Sequence, residues 1–434
     1  MNHFLKIKKL SALLLLFVSW GCGKSVETTE SLESSIVLPA EYDEQEAVWL
    51  LFPEYDHLAG VSNKEVTKSI VETILPYQKV NVVVADQAEM DEAMNFFPEE
   101  WLKNKNFQLV EIPHVEVWMR DMGPVFVVNG LGKLQMVDFN FNAWGYSDTT
   151  DVDAITEEKV DERIAEKMNL PMMSTSMISE GGNRESNGEG TLMVVEHVEK
   201  GRNPNMSIEE MNAEFRRLLG VKKVIWLKRG LYEDDHTFKG TLPLENGKKG
   251  YTVVTTNGHI DEFARFVNDS TILFAEVPET ERQTAIGKEN HRRMEENLEI
   301  LRNATDQDNE PFTIIRMPLP ELVTQEIKPG DGTYDYISTL TYEDGSTFPA
   351  GKPVTAIAAA SYLNFLITNK VVIGQKYWRE GLGKEIKKRD SEAEKILQTV
   401  FPDRKIVMID ALPINWGGGG VHCITMQQPK ATAK

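Results

Sequence analysis

One pattern recurs five times along this 434-residue chain: an apolar run of strand length, a stripe with helical spacing, then a second strand-length run. The opening runs lie at 48–52, 125–128, 191–195, 271–275 and 370–374. After a loop or a second strand come the stripes: Val66, Ile70 and Ile74; Val160, Ile164 and Met168; Met211, Phe215 and Leu218; Met294, Leu298 and Leu301; Ala393, Ile396 and Val400. The closing runs lie at 79–84, 173–178, 223–227, 312–317 and 405–409. Residues three and four apart share one helix face, so each stripe offers a buried side to a sheet. Ser207 and Glu210 are spaced as a capping box ahead of the third stripe. Amphipathic helices alternating with apolar strands make an α/β protein with its helices outside. Five similar units predict a closed ring about a pseudo-fivefold axis. A single open, doubly wound sheet is the alternative.

Polar signatures trail the closing runs, where loops at one end of the strands can bring them together. Trp118-Met119-Arg120-Asp121 follows unit one, Glu180-Gly181-Gly182-Asn183 follows unit two, and Gly258-His259-Ile260-Asp261 follows unit three. Unit five ends in Gly417-Gly418-Gly419-Gly420-Val421-His422-Cys423. Unit four offers only the turn-rich 328–332, a candidate rim. The chain has two cysteines, and Cys22 closes a leader-like segment. Cys423 is thus the single thiol of a mature chain, either an inert core residue or a nucleophile.

A thiol and a histidine are the general recipe for attack on an sp² carbon. Several carboxylates around the same thiol repel a thiolate, unless the substrate is itself a cation. A guanidinium fits: it is planar, permanently charged, and offers paired donors to carboxylates. Its resonance-stabilised carbon needs acids that localise the charge and a thiolate held against it. Each residue alone also has a plainer reading. Asp121 could pair with a nearby Arg, His259 and Asp261 could be a turn residue and its partner, and Glu180 could simply enter a turn. His422 adjoins Cys423, but neighbours on an extended chain point apart, so it is not expected to act as the base. Asp234-Asp235-His236 and His291-Arg292-Arg293 read as solvated faces. No cysteine pair or His-Glu-x-x-His supports zinc, no EF-hand pattern supports calcium, and the glycine run lacks the Lys of a phosphate loop.

With 47 basic against 67 acidic residues, the net charge of -20 opposes nucleic-acid binding. Residues 1–22 read as an export signal: Lys6, Lys8 and Lys9, then the apolar run 10–18, then Ser19-Trp20-Gly21-Cys22. The run is too short to span a bilayer. Cysteine after a small residue resembles a lipoprotein cleavage site, which makes Cys22 a lipidation candidate. Residues 23–36, rich in Ser, Thr and Glu, read as a tether, and 37–430 as one catalytic domain. The expectation is an exported protein of the periplasm or cell envelope, lipid-anchored at Cys22.

The signatures, together with Pro39-Ala40-Glu41-Tyr42, Asn142-Ala143-Trp144-Gly145 and Asn187-Gly188-Glu189-Gly190-Thr191, resemble the agmatine deiminase and bacterial-type peptidylarginine deiminase family. They occur in that family's order from about residue 38 onward. The resemblance implies the five-bladed α/β propeller of guanidino-group-modifying enzymes, a covalent mechanism and no cofactor or metal. It assigns Cys423 as nucleophile, His259 as general acid and base, and Asp121 and Asp261 as acids gripping the guanidinium. Glu180 matches a further acidic position. Trp118, Asn183, Gly419 and Gly420 join the expected substrate contacts.

The chain also departs from that family. Glu262 and Arg265 stand where members acting on agmatine usually have Asn and Cys, Gly420 replaces a usual Asn, and Asn183 a commoner Ser. Residues 234–249 look inserted. Arg265 could hold a substrate carboxylate, favouring peptidyl arginine, or could pair with Glu262 or a surface acid. Export also favours a peptide or protein substrate over polyamine synthesis. A cysteine hydrolase of ordinary amides and a non-catalytic guanidine-binding surface protein are the competing functions.

Overall fold

The computed structural model describes residues 35–147 and 150–431. Cys22 and the leader lie outside the described residues, as does all but the end of the expected tether. That end is part of the fold: Ile36–Val37 pairs antiparallel with Val128 and Asn129.

The described strands form six separate sheets of three or four strands, none closed on itself. Five share one plan, in which an antiparallel strand precedes a parallel pair joined across a helix. In the first, Thr425–Pro429 runs antiparallel to Gln45–Leu51, which pairs parallel with Lys79–Val84, and that with Phe107–Glu111. The second places Val125–Asn129 against Leu134–Asp138, then Met172–Ser174. The third is Glu185–Ser186, Thr191–Val195 and Lys223–Leu227. Ala264–Asn268, Thr271–Glu276 and Thr313–Pro318 make the fourth. Leu366–Ile367, Val371–Gln375 and Lys405–Ile409 make the fifth.

The helical stripes behave as their spacing predicts. Val66, Ile70 and Ile74 of Asn63–Ile74 are buried, as are Met211, Phe215 and Leu218 of Ile208–Leu219 and Met294, Leu298 and Leu301 of Ala285–Asn303. The Ser207–Glu210 capping box is present, and Gly220 closes that helix in the left-handed conformation at φ 66°. In the last long helix, Lys384–Val400, Leu397 replaces Ile396 as the fully buried residue between Ala393 and Phe401.

Two expectations need correction. In unit two the parallel partner of Met172–Ser174 is Leu134–Asp138, not the run at 125–128. A sixth sheet, Leu242–Pro243, Lys249–Thr252, Val354–Ile357 and Thr324–Ile327, lies outside the five-unit count. Part of the inserted-looking segment builds it. The 328–332 turn leads into Gly332–Ile337, where the Thr333 hydroxyl lies 2.7 Å from the Trp416 carbonyl and 3.2 Å from that of His57. This ties the segment to the glycine run.

Candidate active site

Four short segments without regular periodicity carry the site. Asp121 sits in the single-turn helix Met119–Met122, and Glu180 just before the turn Gly181–Asn183. His259 and Asp261 flank Ile260 at the start of the turn Ile260–Glu262. Cys423 lies in the turns between Leu412–Asn415 and Thr425–Pro429. The Arg120 amide donates to the Cys423 carbonyl at 3.0 Å, which locks the first segment to the last.

Gly182 marks where the side chains converge. A methyl group there would stand 2.5 Å from His259 Nδ1, 3.1 Å from Asp121 Oδ1 and 3.2 Å from Asp261 Oδ2. Its own amide donates to Asp121 Oδ1 at 2.9 Å, and the Trp144 indole holds Asp121 Oδ2 at 2.8 Å. Gly182→Ala is therefore expected to push His259 off its position and lower kcat/KM by about 10²-fold or more, since displacements near 1 Å are that costly. An unchanged unfolding midpoint with lost turnover is the expected pattern, and full activity in the variant would count against the convergence.

The thiol is packed from the other side. Gly419 lies where a methyl group would stand 2.8 Å from both Cys423 Sγ and the Trp118 ring. Gly418 adopts φ 117°, with the Val254 carbonyl where a side chain would be, so only glycine fits. Asn364 Nδ2 donates to Cys423 Sγ at 3.1 Å and to Glu262 Oε1 at 2.9 Å. Asp261 Oδ2 lies 3.7 Å from Sγ.

Charge is balanced in pairs around this centre. His259 sits between Asp121, 3.8 Å from Nδ1, and Glu180, 3.6 Å from Nε2. Burial alone would lower the affinity of His259 for its proton, but Asp121, Glu180 and Asp261 outweigh it and raise the imidazole above its usual 6.5. Burial likewise opposes ionisation of Glu180, yet Arg202 and His259 hold it down at about 2. Burial raises Asp121, with His259 only partly offsetting it. The Cys423 thiol is pushed well above its usual value, first by burial and then by Asp261, Glu262 and Asp121. Without an added cation, this thiol keeps its proton.

Residues 37–429 match the model of the Porphyromonas-type peptidyl-arginine deiminase family. The chain belongs to this family. Agmatine deiminase of Pseudomonas putida strain F1 is 30% identical over 403 residues, covering 90% of this chain and 95% of that protein. Among solved structures, agmatine deiminase of Enterococcus faecalis superposes with a TM-score of 0.72 at 26% identity, covering 92% of this chain and 97% of that one. The C. jejuni agmatine deiminase shares the fold at a TM-score of 0.62 and 21% identity, over 92% and 97%. This deiminase is accordingly a hydrolase of amidine C–N bonds, and its reaction is the hydrolytic deimination of a guanidino group.

Several residues of the deiminase sit otherwise than their sequence context suggests. Arg265 does not face a substrate carboxylate: it is fully buried, paired with Glu41 at 2.7 Å and Glu185 at 2.5 Å, and hydrogen-bonded to the carbonyls of Leu363 and Phe365. Neither partner is Glu262 or a surface acid. Asn183 is also turned away, bonding Glu199 at 2.9 Å and the amide of Val195. Gly420 faces Asn364 and Gln375 rather than Cys423. Asp234, Asp235 and His236 are buried, not a solvated face. Arg293, also buried, pairs with Asp235 at 2.9 Å, while Arg292 stays exposed.

His422 is buried and shares an acid with the thiol, since Asp261 Oδ2 is also the oxygen 3.7 Å from Cys423 Sγ. Its Nδ1 lies 2.7 Å from Asp261 Oδ2 and its Nε2 2.8 Å from Glu41 Oε2. Glu41, Arg202, Asn364 and Trp144 complete the site, and sequence reasoning gave none of them a role. Glu41 and Trp144 do stand in motifs that carry the family resemblance. Asn364 had no such signal.

Proposed function

We propose that deimination runs through a covalent adduct on Cys423. A guanidinium entering between Asp121 and Asp261 supplies the positive charge that the buried thiol lacks, and the thiol proton leaves to solvent. The Sγ thiolate attacks the central carbon. The His259 imidazolium, whose proton its two acids retain, gives that proton to the departing amine, and ammonia leaves. An amidino-thioether remains. Neutral His259 then takes a proton from water as the water oxygen attacks the same carbon, and the tetrahedral adduct collapses. The thiolate departs with the C–S bond electrons, the hydroxyl proton passes to solvent as the C=O bond forms, and a neutral ureido product is released. Asn364 donates to sulfur, and His422 holds Asp261 in place. Every step uses protein side chains and water.

The observation that carries this reading is the placement of a buried thiol among acids, with Asp261 Oδ2 3.7 Å from Sγ, where burial first and then those acids favour the protonated form until a cation enters. It predicts selective alkylation. A haloacetamidine, which is cationic, should modify Cys423 at least about tenfold faster than the neutral haloacetamide, in contrast to a free thiol in solution. Equal rates for the two reagents, followed by mass spectrometry, would remove the cation requirement.

Around the centre, Arg120, Arg202, Arg265, His259 and His422 each face an acid. This pairing favours a guanidino-alkyl amine such as agmatine over free arginine. The second reading is arginine within a peptide, which the family model's description names and which suits an exported, lipid-anchored chain. An ammonia-release panel of agmatine, free arginine and peptides with internal and C-terminal arginine decides between them. Turnover of free arginine alone would overturn the preference for agmatine, and release from none of the four would sink the function.

Five sheets of one plan, with a strand from the end of the chain paired to one near its start, support a closed five-bladed ring and a single catalytic domain. The leader and Cys22 keep their proposed roles in export and lipidation. Detergent partitioning of wild type against Cys22→Ala tests the latter, and identical behaviour would dismiss it.

A further inference from the structure

Cys423 and Asp261 serve deimination, but together with Glu262 they also form an arrangement of their own. Cys423 Sγ, one Asp261 carboxylate oxygen and one from Glu262 lie within 4.8 Å of one another, and all three residues are buried. The separation of Sγ from Asp261 Oδ2 is 3.7 Å. A tetrahedral zinc ion, with Zn–S of about 2.3 Å and Zn–O of about 2.0–2.2 Å, sets sulfur and oxygen ligands about 3.6 Å apart. Asp261 Oδ1 is buried without a hydrogen-bond partner, a spare acceptor at the same centre. The supports that orient metal ligands are also present. His422 Nδ1 bonds Asp261 Oδ2 at 2.7 Å, and Asn364 donates to Glu262 at 2.9 Å.

We propose that Cys423, Asp261 and Glu262 bind Zn²⁺ when no guanidino cation is present, so that zinc and substrate exclude each other. The binding geometry stands by itself. Only its inhibitory consequence rests on the proposed role of Cys423. The Cys423 thiol proton and the proton that burial favours on Glu262 both pass to solvent, and sulfur and the two carboxylates then donate to zinc without any change of oxidation state. Three protein ligands leave a fourth position for water. Thiolate selects zinc over magnesium and calcium, which prefer all-oxygen sites. Glu262 supplies the second carboxylate, and a neutral amide in its place would be a weaker ligand.

Titration of the full folded protein with Co²⁺, a spectroscopic stand-in for zinc, should produce a sulfur-to-cobalt charge-transfer band. Zn²⁺ should displace it and Mg²⁺ should not. Cys423→Ser should lose the band. Glu262→Gln, which keeps the shape and a carbonyl acceptor for Asn364, should weaken binding by about tenfold or more, with an unchanged circular dichroism spectrum confirming its fold. No band in the wild type, or equal affinity in Glu262→Gln, overturns the proposal. If a guanidino substrate is turned over, saturating Zn²⁺ should stop ammonia release and a chelator should restore it. Undiminished turnover in saturating Zn²⁺ would contradict mutual exclusion. Because the titration needs no turnover, failure of the deiminase reading and failure of the zinc site give different results.

Discussion

Cys423→Ser is expected to lower ammonia release from any guanidino substrate by more than about 10⁴-fold while leaving stability nearly untouched. The loss is chemical. A serine hydroxyl is a far weaker acid than a thiol, so the charge of a bound guanidinium that suffices to ionise sulfur leaves oxygen protonated. No hydrogen-bonded base adjoins Sγ to compensate: Asp261 Oδ2 is 3.7 Å away and already holds His422. Deleting a nucleophile that acts as one unit with its partners costs nearly the whole enzymatic acceleration. Stability survives because the change is near-isosteric, and Asn364 can donate to oxygen as it does to sulfur. Single-turnover mass spectrometry gives the second readout: an adduct of substrate mass less ammonia should form on the wild type and be absent from the variant. Retained turnover in Cys423→Ser would take the nucleophile's role from Cys423, and binding without turnover in the wild type would favour the guanidine-binding alternative.

What the sequence discloses and what it hides follow from the range of the interactions. Helices such as Asn63–Ile74 and Ile208–Leu219 announce themselves because burial repeats every three to four residues along one face. The opening strands Glu185–Ser186 and Leu366–Ile367 are two residues long, too short to show any period, so the antiparallel member of those units is invisible beforehand. Lys249–Thr252 is equally quiet, and its sheet forms with segments about a hundred residues away. Asp121, His259, Asp261 and Cys423 stand out through the motifs around them. Their partners do not: His422 meets Glu41 across 381 positions, and Asn364 meets Cys423 across 59. The expectation that His422 and Cys423 point apart assumes an extended backbone, but the chain turns there. Asp234 and Asp235 look like surface charge because composition cannot report burial.

Arg265→Met should destabilise the fold by about 3–5 kcal/mol, the usual cost of removing one member of a buried ionic cluster. Methionine fills much of the same volume, so the penalty is mainly electrostatic. Arg265 is fully buried between Glu41 and Glu185, with its guanidinium also 4.6 Å from the Phe365 ring. The two acids do not depend on it equally. Burial opposes ionisation of Glu41, but Arg265, His422 and Arg120 together hold it well below the usual carboxylate range. Burial keeps Glu185 raised in spite of Arg265. Glu185 is therefore the acid to neutralise: Glu185→Gln added to Arg265→Met should recover part of the loss, because it removes a buried charge left without a partner. Urea unfolding of the three proteins measures both effects. A double variant no more stable than the single one would assign Arg265's contribution to packing against Phe365. The pH dependence has a definite sign. A carboxyl whose folded pKa is depressed stabilises the fold above its ordinary value of 4.5 and loses that contribution as the pH falls below it. The gap between wild type and Arg265→Met should thus be widest near neutrality and narrow in acid, where Glu41 and Glu185 of the variant can take up protons.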